Sequence, residues 1–490
     1  MINKKINELI KYAKANLYLG LDDEYYVANK LIYLLKLNQF EWIPVEEELD
    51  FFEIIEPMLD YAFENNIIES NSTISRDAFE SKIIDCVMPR PSELTRMFRK
   101  HYKSGPLTAT TFFHNLSIAS NYIKTKRIAK NIKYIYEGKY APLEITINLS
   151  KPEKDPKDIL KQSLNKDKYP ICPLCMENVG VYQSTSLAPR SNHRVVSLNL
   201  NHEKETWGIQ YSPYAYFNEH MIVLRKEHSN MYVNEKTFAE LVDFINKFPH
   251  YLIGSNAGLP IVGGSILGHH HFQGGRYDFP IEKARVLQKY KKRKVEIEIL
   301  DWPMAAIRVS SNNENALLDM VSDIYKAWYK YENKDLQIYS KTEEDHNTVT
   351  PILKLNGAKY NFYIVLRNNY STKEKPYGLF HPREELFHIK KENIGLIEVM
   401  GLAILPGRLV KELDLIEDCL INNKDPKTFN ELEKHLDWIN HLKEMNIPNE
   451  QINETLKKEV GRIFEEVIED CNVFKYGTNE DLFRFIEKII

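Results

Sequence analysis

FPHYLIGSNAGLPIVGGSILGHHHFQGG, residues 248–275, contains no Asp, Glu, Lys or Arg, a feature that first suggests a membrane span. Pro249, Pro260, Asn256 and seven glycines exclude that reading, because a lipid-facing helix does not tolerate such a composition. Gly254, Gly258, Gly263, Gly264, Gly268, Gly274 and Gly275 are seven of the 19 glycines in the chain. Glycine at this density lets backbone N–H groups approach a ligand closely, and phosphate oxygens are the usual target. The competing reading is a set of tight turns between strands. His269-His270-His271-Phe272-Gln273, set among these glycines, decides between them. Read as a strand, the run puts His269, His271 and Gln273 on one face and His270 and Phe272 on the other. A surface histidine run would not sit in a charge-free, glycine-rich stretch.

Upstream, HMIVLRKEH (220–228) reads as a strand with its exit loop, and a helix follows Asn234. Phe238, Leu241, Val242 and Ile245 give that helix one buried face, and Pro249 ends it. Residues 143–149 (LEITINL) alternate as a half-buried strand does, and KPEKDPKD after them is a charged link. The first hundred residues read mainly as helix, from a stripe at Leu9, Ile10, Tyr12 and Ala13 to a helix in MPRPSELTRMFRKHY capped by Ser92. Downstream, PILKL and KYNFYIVLRNN flank Asn356-Gly357, a strong hairpin signal. Ile452, Leu456, Val460, Ile463 and Val467 form one stripe of a late helix. The mixture predicts an α+β fold, antiparallel sheet with helices, and helical extensions at both ends.

Sixty-five Lys+Arg against 69 Asp+Glu give 65 − 69 = −4, with no concentrated basic stripe. That balance argues against a nucleic-acid binder. The start, MINKKINELIKYAKANLYL, is charged and amphipathic and lacks the apolar core of a secretion signal, so a cytoplasmic protein is expected. Five scattered cysteines, Cys86, Cys172, Cys175, Cys419 and Cys471, fit a reducing compartment.

Within CPLC (172–175) the cysteine pair reads as metal-binding or redox chemistry. Zinc needs four ligands. Cys172, Cys175, His228 and His269 would make a Cys₂His₂ site from three distant pieces of chain; His220 competes for the third position but stands at the start of its strand.

Taken together, HxHxQ (His269, His271, Gln273), CxxC upstream and the intervening His228 resemble the galactose-1-phosphate uridylyltransferases of the histidine-triad superfamily. MPRPSELTRMF, HNTVTPILK, YIVLRNN and FHPREELFHIKKENIGLIEVMGLAILPGRL resemble the bacterial second type, so that the likeness covers roughly residues 80 to 410. It implies a histidine-triad-like antiparallel sheet with helices, in two such units. It also implies a division into a helical extension (1–105), a catalytic domain with CxxC and HxHxQ (106–300), a C-terminal transferase domain (301–410) and a helical extension (411–490). Ping-pong exchange is implied as well: UDP-glucose gives its uridylyl group to His271, and galactose 1-phosphate carries it away as UDP-galactose. Gln273 would hydrogen-bond the phosphoryl oxygens, and His269 would join Cys172, Cys175 and His228 on zinc. Asn256 and Ser265 match substrate-contacting positions approximately. A homodimer is implied by resemblance alone. The better-known branch has proline between the two histidines and a small residue before the glutamine, where this chain has His270 and Phe272.

Such chemistry suits these groups. A neutral imidazole attacks phosphorus without an activating base, and its phosphoramidate is reactive enough to pass the uridylyl group on. Backbone N–H groups of Gly263 and Gly264 would share the phosphoryl charge. Four protein ligands leave zinc no open position, so its role would be structural. Arg190, His193 and Arg194 are placed either near the nucleotide or in a polar loop, and Lys390 and Lys391 either near a sugar phosphate or on a charged surface turn. Two other readings compete: a dinucleoside-polyphosphate phosphorylase or related nucleotidyltransferase, and, more distantly, a non-enzymatic zinc protein.

Overall fold

In the computed structural model, residues 2–46, 50–150, 169–182, 191–264 and 266–490 are described, Glu205 by its backbone alone. KPEKDPKD, Arg190 and Ser265 lie outside the described residues. Two compact units emerge: one combines Met1–Arg127, Ser150–Ala215 and Glu219–Ser229, the other Ile128–Leu149, Tyr216–Asn218 and Asn230–Ile490.

The first unit is helical at its start, as the sequence predicts, with helices Ile2–Asn16, Glu24–Leu34, Phe51–Glu64, Thr73–Val87, Pro91–Tyr102 and Pro106–Ala119. Leu9, Ile10 and Ala13 are buried. The helix in MPRPSELTRMF starts differently from expectation: Pro91 takes its first position, Arg90 stands at the cap, and Ser92 lies inside the first turn. Proline is preorganised there because its missing N–H would have had no helical partner. Three antiparallel strands follow, Val196–Leu200, Glu203–Tyr211 and Met221–Arg225 in that order. The last of these delivers His228 at its exit.

In the second unit seven strands pair antiparallel in the order His271–Gly275, Leu252–Gly254, Asn347–Asn356, Lys359–Asn368, Ala306–Ser311, Val295–Leu300 and Val286–Lys292. A smaller sheet joins Ile132–Glu137 and Pro142–Asn148 antiparallel, with Leu402–Pro406 parallel beside the latter. Glu235–Lys247 is the helix predicted after Asn234, whose side chain accepts from the N–H groups of Lys236 and Thr237. Its face packs on the sheet through Phe238, Leu241, Val242 and Ile245, all but absent from the surface. At about 25 cal/mol per Å² of apolar surface, each such side chain contributes on the order of 2 kcal/mol.

The long hairpin forms as predicted, with its turn one residue later than Asn356-Gly357 suggests. Asn356 still pairs with Lys359, so Gly357 and Ala358 make the loop. Gly357 supplies the positive φ, 61°, that the first loop position requires. The stripe from Ile452 to Val467 lies on the helix Ile452–Asp470 and joins Leu143, Ile145, Leu402 and Leu405 in one core.

Candidate active site

The histidine strand begins at His271, not at His269. His269 and His270 belong to its lead-in, so the strand alternation predicted for all five residues holds only from His271 to Gln273. The His269 carbonyl is bonded by the His271 side chain, Nδ1 to O 2.7 Å. A carbonyl oxygen only accepts, so Nδ1 carries the ring proton and donates it. In the neutral ring Nε2 therefore keeps its lone pair. His271 is 5 % exposed. Burial above all, with His269 and His270 nearby, pushes its pKa down to about 4, against the opposing pull of that carbonyl. The ring is a free base across the neutral range.

His270, in the lead-in, is fully buried. Its ring stacks on Tyr232, centroids 4.0 Å apart and planes within 13°, and Nε2 lies 3.8 Å from buried Glu240. Phe272 sits beside it at 5.2 Å. These two positions are packing residues, which explains how the chain accommodates bulk at both. Gln273 is half-buried, opposite Gly254 on the adjacent strand.

Asn256, Gly263 and Gly264 come together in the loop that follows Gly254. Asn256 is buried, and its Oδ1 accepts the Leu396 N–H at 2.9 Å. That bond fixes the amide so that only its NH₂ remains to donate. A Cβ on Gly264 would stand 2.4 Å from Asn256 Nδ2, and one on Gly263 would stand 2.6 Å from the Leu259 carbonyl. Glycine at both positions lets the loop close on the amide. The composition of the stretch signalled a close approach; its partner, the backbone of residue 396, left no sequence signal.

In the first unit, Cys172, Cys175 and His228 converge. Sγ to Sγ is 3.4 Å and Cys175 Sγ to His228 Nδ1 is 3.1 Å. Asn178 braces the turn by donating to the carbonyls of Cys172 and Cys175 at 2.7 and 2.9 Å. This set places His228, the residue chosen over His220, beside the thiols. Burial and the neighbouring Cys172 hold the Cys175 thiol up at about 12, so a thiolate there needs a compensating cation. Two sulfurs and an imidazole nitrogen gathered this closely fit zinc, whose tetrahedral Zn–S bonds of about 2.3 Å space two sulfurs by roughly 3.8 Å. His269 belongs to the second unit.

Other candidates resolve into structure. Arg194 is buried and spent on Asp85 at 2.7 Å and the Pro89 carbonyl at 2.8 Å. His193 bonds Gln210 and stacks on Tyr122. Lys390 is not a surface residue: it is buried, 3.0 Å from Glu398, and donates to the Ile404 carbonyl. Lys391 is exposed.

Against this geometry the comparisons with known proteins are decisive. The family described as galactose-1-phosphate uridyl transferase, N-terminal domain, matches residues 21–230, and its C-terminal domain matches residues 236–439. The chain belongs to the galactose-1-phosphate uridylyltransferase family. It is 45% identical to the galactose-1-phosphate uridylyltransferase of Clostridium acetobutylicum over 98% of each chain. The Lactococcus lactis subsp. lactis enzyme of that name is 43% identical over 97% of this chain and 96% of its own. The family member from Fusobacterium nucleatum is also 43% identical, over 96% and 95%. Among solved structures, yeast Ap4A phosphorylase Apa2 overlaps 61% of this chain and 90% of its own at 14% identity and a TM-score of 0.32. Among the described residues, no helix of this family member is long and apolar enough to cross a membrane.

Proposed function

We propose that the chain catalyses ping-pong transfer of a uridylyl group from UDP-glucose to galactose 1-phosphate through a covalent intermediate on His271. The observation that carries this reading is the 2.7 Å bond from His271 Nδ1 to the His269 carbonyl. His271 Nε2 attacks the α-phosphorus, an N–P bond forms, and the bond to the bridging oxygen breaks, releasing glucose 1-phosphate. The ring keeps its Nδ1 proton and becomes cationic, and the His269 carbonyl stabilises that charge. Galactose 1-phosphate then attacks the same phosphorus, the N–P bond breaks, and UDP-galactose leaves with neutral His271 restored. No proton has to be delivered in either step, because glucose 1-phosphate leaves as an anion and the cationic ring leaves as neutral imidazole.

Gln273, one strand period beyond His271, is the side chain for the phosphoryl oxygens. The NH₂ of Asn256, with the backbone of Gly263 and Gly264, shares their charge. Cys172, Cys175, His228 and His269 would hold zinc, which would supply structural cross-linking with every position filled by protein. In this reading 106–300 is the catalytic domain and 301–410 the C-terminal transferase domain of a histidine-triad protein. The extensions 1–105 and 411–490 flank them in a cytoplasmic enzyme that pairs as a homodimer. Exchange between UDP-[¹⁴C]glucose and galactose 1-phosphate tests the activity: label must leave as glucose 1-phosphate, and net hydrolysis without acceptor would refute the transfer.

A further inference from the structure

A cleft of about 670 Å³ opens in the second unit between the segment 374–385 and the turn 469–476. None of His271, Gln273, Asn256, Gly263 or Gly264 lines it. Part of its wall, Glu469 to Tyr476, lies beyond residue 439, where the match to the family's C-terminal domain ends.

Its charges are unevenly matched. Asp470 already receives Arg383 at 3.0 Å, and Glu469 receives the Tyr140 hydroxyl at 2.7 Å and Lys139 at 3.3 Å. The two lysines have no such partner: among the described residues no carboxylate lies within ion-pair distance of Lys375 or Lys475. Lys475 Nζ donates to the Asp470 backbone carbonyl at 2.6 Å, and Lys375 Nζ to the Tyr476 hydroxyl at 3.1 Å. Both ammonium groups lie within 5.6 Å of the Tyr476 ring centre, at 5.6 and 5.4 Å. Lys475 is half-buried against Phe380, so burial, together with Lys375, lowers its pKa. Two ammonium groups held at one aromatic ring, one of them partly stripped of water, form a site for a dianion.

A bare anion satisfies only half of the cleft. Glu374, Glu384 and Glu385 are exposed on its rim without a cation in ion-pair distance among the described residues, and they would repel a second charge. Carboxylates accept from hydroxyls, and the exposed face of Tyr377, stacked on His381 at 5.7 Å, offers an apolar wall. A cationic pair for a phosphate, carboxylates for hydroxyls and a ring face for the apolar side of a sugar describe a phosphorylated sugar. We infer that this cleft is a second, non-catalytic site that binds a sugar phosphate, with Lys375 and Lys475 on the phosphate and the rim carboxylates on the hydroxyls.

Equilibrium dialysis of the full chain with labelled galactose 1-phosphate, beside a separate uridylyl-exchange assay, tests it. The expected result is that Lys475→Met and Lys375→Glu each bind one equivalent fewer than wild type while the exchange rate at saturating substrate stays within about twofold. Lys375 is exposed, so its variant reports on the cleft even if Lys475→Met folds poorly. Inorganic phosphate and free galactose should each compete at least tenfold more weakly than galactose 1-phosphate. Unchanged stoichiometry in Lys375→Glu would overturn the site, and so would equal competition by inorganic phosphate. Loss of exchange together with all binding would overturn its separateness from catalysis.

Discussion

His271 donates its Nδ1 proton to the carbonyl of His269, two residues back, across 2.7 Å. That bond sets the tautomer and aims the ring.

Asn256 separates orientation from charge. Asn256→Asp keeps an oxygen for the Leu396 N–H but replaces the donor NH₂ with negative charge beside the phosphoryl group. Its kcat should fall by about 10²–10³, as for loss of one preorganised donor. Asn256→Ala should lose stability as well, by about 1–3 kcal/mol, since the Leu396 N–H is left buried without an acceptor. Steady-state kinetics and thermal melts on both variants check this; equal activity in Asn256→Asp and wild type would count against a donor role.

Gly264→Ala should lower activity at least about tenfold, because its Cβ would press on Asn256 Nδ2 from 2.4 Å. Gly268, whose added Cβ meets nothing within 4 Å, provides the control. Gly268→Ala should retain activity, and comparing kcat/KM for the two variants shows whether contact with Asn256 is what matters.

Zinc content should be about one equivalent per chain by elemental analysis of protein purified without added metal. Cys175→Ser should lose metal and lower the melting temperature. A metal-free preparation that melts at the same temperature would contradict the structural role while leaving the histidine chemistry untouched.

Away from the site, His388 predicts an acid-sensitive fold. Its Nδ1 lies 2.8 Å from His435 Nδ1, and His435 in turn bonds Glu412 at 3.0 Å, with Arg408 and Lys434 on the same carboxylate. Burial first, then the neighbouring His435, pushes His388 down to about 3. The unfolded chain protonates this ring near pH 6.5 and the folded one does not until about pH 3. Stability is therefore complete above pH 6.5 and falls as pH drops toward 3, by about 2 kcal/mol at pH 5. Urea unfolding at pH 7 and pH 5 should show that His388→Gln has a correspondingly shallower loss than wild type.

What the sequence made legible follows from which forces act locally. The helix at 235–247 and the stripe from Ile452 to Val467 were readable because caps and periodic burial are short-range signals. The hairpin was readable too, but its turn slipped by one residue because the positive φ belongs to the first loop position, which Gly357 takes. At the site, residue types and their close approach were visible in the glycine count and the histidine run. The Leu396 N–H on Asn256, the Tyr232 ring on His270 and the Glu398 partner of Lys390 were not: the first two join residues 140 and 38 positions apart, and the third turns on burial.

Intact mass of the purified chain after mixing with UDP-glucose, without acceptor, tests the central claim most directly. The account predicts a gain of one uridylyl group, labile to acid, discharged by galactose 1-phosphate and absent in His271→Ala. An adduct that persists in His271→Ala, or full exchange activity in that variant, would contradict it.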